Sequence, residues 1–273
     1  MKKLLYFILF SSFSFAQTNV IVSIVPLKVF VDKIGGDKVT TSVMVKAGAS
    51  PHTYEPKASQ MKAISKADVY FAIGVEFEKV WLDKFQNQNK NLIIKDVTYN
   101  LNKAIIHEHH DEPTLDPHIW VNPINVKKIA NNIFTTFAIL DPENLAFYKK
   151  NLDDYIKELD KLDNEIKTIL KDVPKGSTFM VFHPAWGYFA KAYHLRQLPV
   201  EIEGKEPKMK ALVKLMKEAR KEKIHAIFTQ PEFSDKSAQI IARNLNIKVI
   251  KASPLAENWS ENLINLAKAI ANK

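Results

Sequence analysis

One stretch constrains this chain more than any other. Beyond Asp141-Pro142-Glu143, no glycine or proline interrupts the sequence until Pro174-Lys175-Gly176. Within it Leu152, Tyr155, Ile156, Leu159, Leu162, Ile166, Ile169 and Leu170 recur at helical spacing. Asp141 suits an N-cap and Pro142 the first helical position. The pattern predicts one helix over 142–171, about 43 Å long at 1.5 Å per residue. A coiled-coil strand would share the pattern. Inside an α/β chain, such a helix is expected to brace two lobes along its length.

The flanking sequence is of another kind. Val20–Val25, Val39–Val45, Asp68–Ile73 and Leu92–Asp96 are short apolar runs that read as strands. Helical patterns lie between them at Leu27–Ile34, Lys57–Lys66 and Glu76–Phe85, and Val126–Leu140 follows. The habit returns with strands at Thr178–Phe182, Leu198–Ile202, Ile224–Thr229 and Ile247–Ile250. Helices at Ala185–Ala192, Lys208–Glu222, Ser234–Leu245 and Glu261–Ala271 complete the second series. Short strands feeding helices make mainly parallel sheets covered on both faces. The expected fold class is therefore α/β. An N-terminal lobe over 17–140 and a C-terminal lobe over 175–273 are two Rossmann-like units with central parallel sheets. They are joined by one long rigid helix within 141–174.

Met1-Lys2-Lys3, the apolar run Leu4–Phe10 and the small residues Ser14 and Ala16 have the layout of a signal peptide over 1–16. The apolar run is too short to span about 30 Å of hydrocarbon. The chain has no cysteine, so no thiol at that junction could carry a lipid. The mature protein is expected free in the periplasm, as a monomer. The net charge is +9, but the lysines alternate with glutamates and aspartates along helical stretches, as solvated faces do. No basic cluster with interleaved aromatics is present, and no nucleic-acid partner is expected.

Eight histidines are present, and three stand where ligands collect. His52 lies in Ser50-Pro51-His52-Thr53-Tyr54-Glu55-Pro56, a loop after a strand. His118 lies in Asp116-Pro117-His118-Ile119-Trp120, ahead of a helix. His183 directly follows the strand ending at Phe182. In open α/β sheets ligands bind beyond the carboxyl ends of strands, which fits His52 and His183. Neutral imidazoles suit Zn²⁺. Each histidine taken singly also fits a plain turn or helix entry. His107, His109 and His110, in a short run with Glu108, Asp111 and Glu112, fit a weak accessory metal site or a solvated loop. His194 and His225 read as structural. No Gly-x-Ser-x-Gly elbow, Walker loop or cysteine nucleophile appears. Glu55 and Glu206 could be imagined as general bases, but no enzyme is expected.

Together these motifs carry a resemblance. Gly48–Pro56, Asp116–Trp120, His183-Pro184-Ala185-Trp186-Gly187-Tyr188, Glu203–Pro207, Thr229–Ser234 and Pro254-Leu255-Ala256 resemble, in order, the zinc- and manganese-binding receptors of bacterial ABC importers. The resemblance implies metal in the cleft between the lobes, held by His52, His118 and His183, and delivery of Zn²⁺ to a membrane permease. The alternatives are a manganese receptor of the same family or a metal-containing adhesin. Manganese members usually have glutamate where His183 stands. The family commonly has an aspartate as fourth ligand where this chain has Ser253. Water, or Glu206, is expected to complete the shell instead.

Overall fold

A computed structural model describes residues 17–106, 114–201 and 205–272. The proposed signal segment and the His107–Glu112 run lie outside the described residues. Strands β1 (Thr18–Ile24), β2 (Val39–Val45), β3 (Val69–Ala72) and β4 (Ile93–Asp96) form a parallel sheet in the order β2-β1-β3-β4. Helices α1 (Val25–Gly35), α2 (Ala58–Ile64) and α3 (Glu78–Gln88) connect them. Val20 to Ile24 of β1 are all buried, because helices cover both faces of a parallel sheet.

Two short strands then pair antiparallel, β5 (Ile105–Ile106) with β6 (Thr114–Leu115). The sequence pattern does not predict them, since two-residue strands have no period to detect. Helix α4 (Pro123–Leu140) starts earlier than its apolar pattern, because the Asn122 side chain caps it by accepting from the Ile124 amide at 2.9 Å.

A 3₁₀ turn at Pro142–Asn144 leads into α5 (Leu145–Leu170), 26 residues and about 39 Å long. Its buried stripe runs Tyr148, Leu152, Tyr155, Leu159, Leu162, Ile166, Leu170. Pairs such as Lys149–Asp153 and Lys150–Asp154 occupy the solvent face.

The second parallel sheet contains β7 (Thr178–Val181), β8 (Arg196–Pro199), β9 (Ala226–Thr229) and β10 (Lys248–Lys251) in the order β10-β9-β7-β8. Helices α6 (Gly187–Ala192), α7 (Met209–Lys221) and α8 (Lys236–Leu245) belong to it. The strand expected at Leu198–Ile202 lies earlier. Beyond Pro199 the Val200 amide is shared between the Val181 carbonyl at 2.8 Å and the Phe182 carbonyl at 3.2 Å, and the Glu201 amide donates to the Phe182 carbonyl at 3.0 Å. That ends the ladder and brings Glu201 beside His183.

Helix α9 (Trp259–Ile270) follows β10 but packs on α5, and Trp259 meets Phe30 of α1 edge-on at 5.0 Å. Two tryptophans tie the halves together: Trp120 Nε1 donates to the Pro254 carbonyl at 2.7 Å, and Trp259 Nε1 to the Trp120 carbonyl at 3.1 Å. Tyr188 adds a third tie. Its hydroxyl donates to the Asp116 carbonyl at 3.0 Å and accepts from the Ala104 amide at 2.8 Å. Among the described residues no helix is long and apolar enough to cross a membrane.

Candidate metal centre

Each sheet has a topological switch point, between β1 and β3 in one and between β7 and β9 in the other. Loops leaving such points leave a crevice. His52 comes from the loop after β2, His118 from the turn between β6 and α4, and His183 from just beyond β7. The structure brings all three together, with their donor atoms within 4.8 Å of one another. His118 and His183 are buried, and His52 is half-buried. The Nε2 atoms of His52 and His183 stand 3.2 Å apart. That is close to the edge, about 3.3 Å, of a tetrahedron built on 2.0–2.1 Å metal–nitrogen bonds.

A carboxylate holds the other nitrogen of every ring. Asp116 Oδ1 accepts from His118 Nδ1 at 2.8 Å and from the His118 amide at 2.9 Å. Glu201 Oε2 accepts from His183 Nδ1 at 2.5 Å. Glu76 Oε2 lies 3.2 Å from His52 Nδ1. A carboxylate at Nδ1 keeps the proton there, so the lone pair sits on Nε2 and the ring cannot rotate away. Gly187 leaves room for the Asp116 carboxylate: a Cβ there would lie 3.0 Å from Asp116 Oδ2.

Burial works against ionisation of Glu76, but the hydrogen bond and charge of His52, with the charge of His118, hold its carboxyl down at about 2. Burial lowers the His183 imidazole below its ordinary value, and the neighbouring His118 and His52 act in the same direction, against Glu201. An imidazole so lowered is neutral at pH 7 and free to donate to a cation. Pro51, Trp120, Phe233 and Leu255 give the pocket apolar walls. Phe233 stacks on His183 with ring centres 4.7 Å apart.

Sequence reasoning singled out the three histidines and missed what orients them. Asp116 was within its own motif, two residues before His118, and its spacing was a usable signal. Glu76 and Glu201 carry no local signal, because only the packing of separate loops brings them to the rings. His225 Nε2 bonds the Ala269 carbonyl at 2.9 Å, and His194 occupies a left-handed turn after α6; neither lines the pocket. Glu206 accepts from Ser237 Oγ at 2.9 Å and is also absent from the pocket lining. Ser253 Oγ donates to Glu232 Oε1 at 2.8 Å.

Comparison with known proteins follows the same lines. A family model described as zinc-uptake complex component A, periplasmic, matches residues 20–273. A crystal structure of ZnuA superposes with a TM-score of 0.89 at 39% identity, covering 94% of this chain and 98% of that one. The manganese ABC transporter substrate-binding lipoprotein PsaA of Streptococcus anginosus is 30% identical over 84% of this chain and 78% of its own. The zinc-binding protein AdcA of Streptococcus pyogenes is 28% identical over 88% of this chain and 50% of its own.

Proposed function

Because the chain belongs to the family of zinc-uptake component A, substrate-binding parts of metal ABC importers rather than enzymes, we propose that it captures one Zn²⁺ and delivers it to an importer permease. His52, His118 and His183 are its histidine ligands. Capture takes place in the periplasm, and the family description supports that location. One observation carries the proposal: three imidazole donors converge, each locked by its own carboxylate. Rings already held in place lose little entropy on taking up an ion.

Manganese is the competing cargo, since manganese lipoproteins are among the relatives. A set dominated by three imidazoles favours zinc, because Mn²⁺ prefers harder oxygen donors and lies at the weak end of the divalent affinity series. Competition decides between them. Metal-free protein is titrated with Zn²⁺ and Mn²⁺ in the same buffer, with metal analysis of the purified protein alongside. Zinc should displace manganese, and a preference for manganese overturns the zinc assignment. His183→Ala should abolish tight zinc binding.

A further inference from the structure

Ser253 removes an anionic ligand that the resemblance leads one to expect, and the structure places another carboxylate against it. The Ser253 hydroxyl accepts from the Leu255 amide at 3.0 Å, and its own proton therefore points to Glu232 Oε1, 2.8 Å away. Asn262 Nδ2 fixes the backbone beneath by donating to the Ser253 carbonyl at 2.9 Å. The other oxygen, Glu232 Oε2, is buried and has no hydrogen-bond partner among the described residues. A buried acceptor left unsatisfied is destabilising, the more so when it is charged.

Glu232 lines the same pocket as the three histidines. Its neighbours grip His183 from two sides. Phe233 stacks on the ring. Gln230 accepts from the His183 amide at 3.4 Å and donates to the His183 carbonyl at 3.2 Å. Glu232 is thus carried on a loop fastened to one of the ligands. The other carboxylates around the site are occupied: Glu76, Asp116 and Glu201 each hold an Nδ1 atom. Three neutral imidazoles leave a Zn²⁺ ion with its full charge and one open tetrahedral position. The unpaired oxygen lacks a cation, and the cation lacks an anion.

We propose that Glu232, through Oε2, is the fourth donor to the captured ion, and that Ser253 is the residue that aims it. The proposal rests on the metal-receptor function above. It replaces water or Glu206 as the group completing the shell. Glu232 stands outside the cluster of histidine donors that lie within 4.8 Å of one another, so its side chain must rotate to bring Oε2 onto the ion while Oε1 keeps the serine hydroxyl. The anionic ligand has moved from the loop after β10 to the loop after β9.

The test uses Zn²⁺ alone with the native protein, Glu232→Gln, Ser253→Ala and His183→Ala. A crystal structure of the zinc-loaded native protein should show a Glu232 oxygen about 2.0–2.2 Å from the ion. In chelator competition at pH 7.5, Glu232→Gln should lose more than about 100-fold in affinity, beyond what a group outside the ligand shell costs. Ser253→Ala should lose about tenfold, as a positioning residue does. Water in the fourth position, with Glu232→Gln within about tenfold of native and His183→Ala inactive, overturns this inference and leaves the receptor function standing. Native protein that takes up no zinc at the histidines overturns both.

Discussion

Glu78 offers a stability prediction whose size follows from its surroundings. It is 3% exposed, at the start of α3, two residues beyond the Glu76 that holds His52. Its carboxylate accepts from the Ser23 hydroxyl and from the amides of Ile73 and Gly74, at 3.0 and 2.8 Å. Burial outweighs these bonds and, with the charge of Asp96, raises the carboxyl from 4.5 to about 7. Between those values the folded protein keeps a proton that the unfolded chain has released. Stability from this group is therefore complete below about pH 4.5, declines as pH rises, and levels off above about pH 7. The full shift is worth roughly 3 kcal/mol at 1.36 kcal/mol per unit. Urea unfolding of metal-free native protein and of Glu78→Gln at pH 5 and pH 8 isolates it. Native protein should lose roughly 2–3 kcal/mol more than the variant over that interval. The variant's lost acceptor shifts both its values equally and cancels. Parallel profiles for the two proteins, or a Glu78 carboxyl that titrates below pH 5 by NMR, would refute the reasoning.

Zinc affinity should be flat above about pH 7 and fall steeply below about pH 6, as protons compete for the three imidazoles. Burial has already lowered His183, so it takes up its proton at a lower pH than a free imidazole would. Metal-linked stability is accordingly present above that range and lost on acidification, and unchanged affinity between pH 7.5 and 5 in calorimetry would exclude histidine ligands. Trp259→Ala should cost about 3–5 kcal/mol in urea unfolding, since the indole fills the space beside Phe30 and satisfies the Trp120 carbonyl. A cost below about 1 kcal/mol would mean that α9 adds little to the core.

The legible parts of this protein are those that repeat along the chain. Period and punctuation located the strands and the long helix, and loop chemistry located His52, His118 and His183. What stayed hidden depends on distance in sequence. Glu201 serves His183 only because the chain bends at Pro199. Glu76 reaches His52 from the turn between β3 and α3, a loop remote from its own in sequence. Glu232 stands within the Thr229–Ser234 motif, but nothing in that motif signals that its carboxylate meets Ser253. The return of α9 to α1 and α5 was equally invisible. An amphipathic helix declares that it has an apolar face, but not which neighbour will cover it.

That return sets the order in which the molecule can be finished. The core around Phe30 is closed by Trp259, Leu263 and Leu266, more than two hundred residues later in synthesis. A chain that emerges amino terminus first holds the first sheet with one side still open. Its apolar surface stays wet until the last helix arrives, and contacts so remote in sequence form slowly. A polypeptide cut short before Trp259 should fail in its first half as well as its last, and a cell's quality control would meet one incomplete body rather than a sound lobe with a ragged tail.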